Sequence, residues 1–289
     1  MKKLLIVGCG DIALRALPQL VRDYQVFGLV RAAAQAGRIA ALGAKPVTAD
    51  LDLPATLEPL AGTAELVLHL APPGDSGEHD QRSANLIAAL SSRPPERLVY
   101  ISTSGVYGDC GGAWVDEDRP VAPQTERGAR RVDAERALLA WGARCGVAVA
   151  VLRVPGIYAA ERLPLAQLKR GAPVLRAEDD VYTNHIHADD LAAICARALE
   201  RAAAGRVYNA SDDSEMKMGD YFDLVADRAG LARPPRISRA AAEAGAISEG
   251  LLSFMRESRR LVNTRMKSEL GVRLRYPSVR EGVPPAVRA

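Results

Sequence analysis

The chain has 289 residues, 48% of them apolar and 25% charged, enough for one large α/β domain or for a domain with a smaller partner. Its formal net charge of +3 gives no reason to expect a nucleic-acid or membrane partner, and no stretch is long enough to span a bilayer. The four cysteines (Cys9, Cys110, Cys145, Cys195) are scattered without a CxxC or a metal spacing, which points to reduced thiols in a cytoplasmic protein with no bound metal.

Residues 4–7 are a short apolar run that reads as a strand rather than as a secretory leader. Gly8-Cys9-Gly10-Asp11-Ile12-Ala13 then turns into a helical pattern over 11–23, with Pro18 as a candidate kink. A buried strand, a glycine turn and a helix start are what a chain needs to hold a pyrophosphate. Gly8 and Gly10 let the backbone come close, and the first helical N–H groups, around Asp11 and Ile12, face the anion. A second strand over 25–30 ends at Arg31. An NAD site usually carries Asp or Glu roughly 20 residues beyond the glycine turn, to bond the ribose 2′-hydroxyl. Arg31 instead suits a 2′-phosphate, so the sequence points to NADP, with NAD as the alternative.

An Ala-rich helix over 32–42 leads to a third strand over 45–49 and to Asp50-Leu51. There the carboxylate either accepts from an adenine amino group or caps the short helix over 54–60. A fourth strand over 65–70 runs into Leu70-Ala71-Pro72-Pro73, small stiff residues suited to close passage of a ligand or to a plain strand-ending turn. A helix over 79–90, a fifth strand over 97–102, a long loop over 105–123, a long helix over 127–145 and a buried strand over 147–153 follow. Strands alternating with helices in this way imply an α/β fold with a doubly wound parallel sheet, binding its ligand beyond the strands' C-terminal ends. Beyond 153 the pattern is irregular: extended over 182–187, helical over 189–203, a strand over 206–210, helices over 218–229 and 240–260, and a Pro-rich, loosely ordered tail over 281–289.

Five motifs fall in an informative order: Gly8-x-Gly10-x-x-Ala13; Leu68-His69-Leu70-Ala71; Tyr100-Ile101-Ser102-Thr103-Ser104-Gly105-Val106-Tyr107-Gly108; Leu152-Arg153-x-Pro155-Gly156-Ile157-Tyr158; and His185-Ile186-His187-Ala188-Asp189-Asp190-Leu191. Together they resemble the extended, epimerase/dehydratase-like branch of the short-chain dehydrogenase/reductase superfamily. The resemblance implies a Rossmann-type sheet from 1–157 with 183–211, and a small substrate-side lobe from 158–182 with 212–289. It places Pro155 in the cofactor site beside Gly8, Gly10, Asp11, Ile12, Arg31, Asp50, Leu51, Leu70, Ala71 and Pro72. It also implies a small-molecule substrate and a homodimer formed through the helices that start at 79 and 127.

The family's crevice holds a hydroxyl residue, a Tyr, and a Lys four residues after the Tyr. The resemblance puts the hydroxyl at Thr103, with Ser102 and Ser104 as fallbacks, and aligns the Tyr and Lys with Arg127 and Arg131. None of the eight tyrosines has Lys four residues later, so no shift of register restores the pair. Hydride transfer to a carbonyl leaves an alkoxide that needs a proton, and an Arg with a pKa above roughly 12 cannot supply one. Arg127 can still bond a carbonyl, carboxylate or phosphate, and Arg131 a ribose. Tyr107 and Tyr182 are the candidate replacement acids. Arg130 reads as a solvated helix charge, Asp116 and Glu117 as exposed loop charges, and Arg259, Arg260 and Asn263 as surface positions that could also meet substrate. His185-x-His187 lacks a third ligand for a metal.

Two functions fit these residues. One is an atypical NADP(H)-dependent oxidoreductase or epimerase/dehydratase-like enzyme for a small polar, sugar-like or carbonyl substrate, with Thr103, Tyr107, Arg127 and Arg131 at the reacting centre. The other is a non-catalytic NADP(H)-binding or redox-sensing protein.

Overall fold

The apolar runs pair into one seven-stranded sheet in the computed structural model, which describes residues 1–287. Its strands are β1 (Lys3–Val7), β2 (Gln25–Val30), β3 (Lys45–Thr48), β4 (Leu66–His69), β5 (Arg97–Thr103), β6 (Ala148–Val154) and β7 (Arg206–Asn209). The spatial order is β7-β6-β5-β4-β1-β2-β3, and every neighbouring pair is parallel. Alternate residues feed two separate cores. Leu4, Ile6, Leu68, Val99 and Leu152 pack under α1 (Asp11–Asp23) and α5 (Ala188–Arg201). Leu5, Val7, Val67, Leu98 and Val151 pack on the opposite face, under α3 (Gln81–Leu90) and α4 (Glu126–Cys145). Strands buried on both faces read as continuous apolar runs, which is the pattern in the sequence.

Local chemistry fixes where the helices begin and end. The Asp80 carboxylate accepts from Ser83 N, so α3 starts at Gln81 rather than at 79. Thr125 caps α4 by accepting from Gly128 N at 3.1 Å, and Gly146 ends it in the left-handed region at φ 72°. Pro18 lies inside α1 without interrupting it.

Residues beyond the sheet build a third core, in which Tyr158, Val174, Leu175, Phe222, Val225, Met255, Val279 and Val283 meet. Two expectations are corrected here. The helix over 240–260 is not continuous: Gly245 takes φ 100°, a short helix Glu249–Met255 follows, and Arg260–Leu261 is a strand paired with Trp114–Val115. The tail is tied down as far as 287. Val283 is fully buried, Arg228 donates to the carbonyls of Val283 and Arg280, and Val287 N donates to Arg228 O. Residues 288–289 of the predicted loose tail lie outside the described residues. Among the described residues no helix is long and apolar enough to cross a membrane.

Candidate active site

Strand order reverses between β1 and β4, and a cleft of about 360 Å³ opens there, past the strands' C-terminal ends. The loops after β1, β2, β3 and β4 reach it through Gly8, Arg31, Asp50 and Leu70, and β5 itself through Ile101. Gly8 takes φ 95°, and a Cβ on it would lie 2.6 Å from Ala71 N, so the turn against β4 requires glycine. Gly10 differs: its φ is −84°, and among the described residues no atom beyond its own chain neighbours lies within 4 Å of where its Cβ would stand. Nothing in the protein itself demands glycine at position 10, whereas a ligand lying on the helix start would. Gly10 is also the N-cap of α1 and gives the helix no side-chain cap, which suits the first-turn N–H groups to an anion.

All the cofactor candidates except Pro155 line this cleft; Ile157, two residues further on, lines it instead. The Arg31 side chain is exposed and has no hydrogen-bond or ion-pair partner among the described residues. Asp50 forms a turn, its carboxylate accepting from Asp52 N at 3.0 Å and its N–H donating to Thr56 Oγ1 at 2.9 Å, rather than capping the following helix.

Sequence reasoning missed several lining residues. Gln35 lines the cleft, and Arg38 lines a smaller cavity that adjoins it at Gly10 and Asp11. Both lie on the helix Ala33–Ala40 that follows Arg31, three residues apart, and that i, i+3 spacing on one face was the available signal. Arg82 and Arg162 carried no such signal, because their partners are distant in sequence. Arg82 clamps both carboxylate oxygens of Asp52, at 2.8 and 2.6 Å. Arg162 Nη1 donates to Asp11 Oδ2 at 3.0 Å.

The four catalytic candidates separate. Arg131 lines the cleft and donates to Tyr100 Oη at 2.9 Å and to Ile101 O at 2.6 Å. Thr103 ends β5 half-buried, its hydroxyl accepting from Gly105 N at 3.2 Å. The fallbacks are buried, with Ser102 donating to Glu135 at 2.5 Å. Arg127 is exposed, stacked over the Phe254 ring at 4.7 Å. Tyr107 is corrected. It is 1% exposed, its hydroxyl donates to Asn209 Oδ1 at 2.8 Å, and the Arg153 guanidinium covers its ring. Burial pushes its hydroxyl up to about 12, away from acid chemistry at neutral pH. Tyr182 is half-buried, with the Arg260 guanidinium 4.7 Å from its ring centre.

Several residues read as surface charges are interior. Arg130 is buried and donates to Gly77 O at 2.5 Å. Glu117 is buried and accepts from Asn209 N at 2.9 Å. Arg259 and Asn263 are buried as well: Arg259 bonds Gly108 O and Glu257, and Asn263 bonds the carbonyls of Ser211 and Asp212. In each case a partner far away in sequence, not a neighbour along the chain, encloses the polar group. Beneath the cleft His69 is fully enclosed, bonded to Ser83 Oγ at 3.1 Å. Burial, then the neighbouring Arg131 charge, pushes the imidazole down to about 3, so it stays neutral.

Known proteins share this arrangement. A conserved protein of unknown function from Silicibacter pomeroyi is 32% identical and superposes with a TM-score of 0.80 over 98% of this chain and 96% of that one. UDP-glucuronic acid 4-epimerase from Bacillus cereus, solved in complex with NAD, is 18% identical with a TM-score of 0.76, over 97% of this chain and 94% of that one, a likeness of fold. GDP-6-deoxy-D-mannose reductase from Pseudomonas aeruginosa is 29% identical over 159 residues, 50% of this chain, and the match spans about half of that protein, 52% of its length. Residues 10–211 match the NAD dependent epimerase/dehydratase family over most of the sheet and its cleft, and the chain belongs to that family.

Proposed function

We propose that the protein is an NADP(H)-dependent oxidoreductase or epimerase/dehydratase-like enzyme for a small polar, sugar-like substrate. The observation that carries the cofactor choice is Arg31, an exposed guanidinium without a protein partner among the described residues, on the cleft wall at the end of β2. Arg38 follows on the next helix, beside the glycine turn. These two cations favour a 2′-phosphate over a bare 2′-hydroxyl. Gly10 leaves room for the diphosphate, and Arg131 stands at the opposite end of the cleft, where it can bond a ribose. When bound, the nicotinamide supplies or accepts hydride. Thr103 then orients the reacting oxygen, Arg127 and Arg131 stabilise its negative charge, and solvent water supplies the proton that neither arginine can release. The sugar-like substrate class follows from the relatives: the Pseudomonas protein is a sugar-nucleotide reductase and the Bacillus protein a sugar-nucleotide epimerase.

A titration of NADPH and NADH against wild type and Arg31→Asp tests this. We expect tighter NADPH binding by the wild type and a reversed preference in the variant. Equal affinities in the wild type overturn the NADP assignment.

A second reading has its own support. The family's proton-relay positions hold Arg127 and Arg131, and the hydroxyl of Tyr107 is buried and committed to Asn209. On that reading the protein binds NADP(H) and transfers no hydride. Turnover that disappears in Thr103→Val excludes it.

A further inference from the structure

The mouth of the anion-binding helix start carries a surplus of negative charge. Asp11, in the first turn of α1, lines the cleft, and its carboxylate there is favourable to the helix dipole but repels a diphosphate. Two arginines neutralise it, and they are not equivalent. Arg15 is saturated: it binds Asp11 at 2.9 Å, Asp189 at 2.5 Å and Glu161. Arg162 has Asp11 as its single side-chain partner among the described residues, through Nη1 alone, and 39% of its side chain is exposed. It also stands on a separate element. The turn Ala160–Arg162 follows the strand Gly156–Tyr158 and faces the glycine turn across the cleft, and Arg162 lines that cleft.

We propose that Arg162 is a diphosphate latch. With the cleft empty it neutralises Asp11; with a dinucleotide present it transfers its free guanidinium edge to the diphosphate, closing the lobe-side lip over the cofactor. A guanidinium can bind phosphate oxygens in pairs, and Arg162 is the cation that faces this helix start from the lobe side with donors to spare. The inference rests on the proposal that the cleft takes NADP(H), and it goes further by assigning a residue outside the sheet to the binding of the cofactor's centre.

Equilibrium binding of NADPH and of adenosine 2′-monophosphate, which lacks the diphosphate entirely, tests it on wild type, Arg162→Ala and Asp11→Asn. Arg162→Ala is expected to weaken NADPH at least about tenfold and to leave the monophosphate within about twofold. Asp11→Asn removes the competing carboxylate and is expected to tighten NADPH. Wild-type binding of NADPH with an indifferent Arg162→Ala overturns the latch alone. So does equal weakening of both ligands, or an Asp11→Asn that weakens NADPH as Arg162→Ala does, since each marks Arg162 as a simple staple to α1. A wild type that binds no dinucleotide overturns the cofactor proposal and the latch with it.

Discussion

Arg153 grips both carboxylate oxygens of Glu135, with Nε 3.2 Å from Oε1 and Nη2 2.8 Å from Oε2, and both side chains are buried. Ser102 adds a third donor to the same carboxylate. The pair ties β6 to the middle of α4, the helix that brings Arg131 to the cleft. Glu135→Ala leaves a guanidinium buried without its counter-ion. Unfolding free energy from a denaturant titration is expected to fall by about 3–5 kcal/mol. A loss below about 1 kcal/mol would show that water reaches Arg153.

The two glycines of the turn are predicted to fail differently. Gly8→Ala must relieve a 2.6 Å approach to Ala71 N and hold Ala at φ 95°, so stability is expected to fall by roughly 2–4 kcal/mol. Gly10→Ala meets no protein atom and keeps an ordinary φ, so stability should stay within about 1 kcal/mol of wild type. Its methyl group instead occupies the space above the helix start, and NADPH affinity should drop at least about tenfold. Paired thermal melts and binding titrations separate the cases. A Gly10→Ala protein that is stable and binds normally would remove the argument for a ligand lying on that turn.

Asp212 gives a pH dependence with a definite sign. It is 4% exposed, Oδ2 has no hydrogen-bond partner among the described residues, and Oδ1 accepts from Ser214 N at 3.0 Å. Burial pushes the carboxyl from 3.8 up to about 7 against the pull of that hydrogen bond. Between those two values the native state keeps a proton that the unfolded chain has released. This contribution to stability is therefore fully present below the lower value and is lost as pH rises through the upper one. Asp212→Asn has no proton to lose. Urea midpoints should favour the variant at about pH 8, by a few kcal/mol, with the gap closing toward about pH 4. A gap that stays constant across the range would mean that Asp212 does not titrate there.

The parallel sheet and the wall of the cleft were legible in the sequence because local signals govern both. Apolar runs such as 4–7 and 65–70 have no other way to be buried, and Gly8 and Arg31 each act where their own strand ends. Burial created by contacts between segments far apart in sequence was not legible. Glu117, Arg130 and Arg259 look solvated because their neighbours are polar, yet each is buried by partners far away in sequence: Asn209 for Glu117, Gly77 for Arg130, Gly108 for Arg259. Tyr107 misled for the same reason. Its place after β5 is a local fact, while the bond to Asn209 at the end of β7 is not.

That bond also separates Tyr107 from Thr103 by experiment. Tyr107→Phe leaves Asn209 Oδ1 buried and unpaired, so stability should fall by about 1–3 kcal/mol while NADPH affinity and any turnover stay at wild-type levels below the melting transition. Thr103→Val keeps the side chain's shape at a half-buried strand end and removes the hydroxyl. Its stability should fall only by about 1 kcal/mol, the loss of the Gly105 N cap, and turnover should fall at least about tenfold with NADPH affinity unchanged, because a hydroxyl that orients a reacting oxygen matters only once substrate is present. The opposite result, activity lost in a folded Tyr107→Phe and kept in Thr103→Val, would require the 102–107 segment to rearrange when substrate binds, bringing the Tyr107 hydroxyl out of the core.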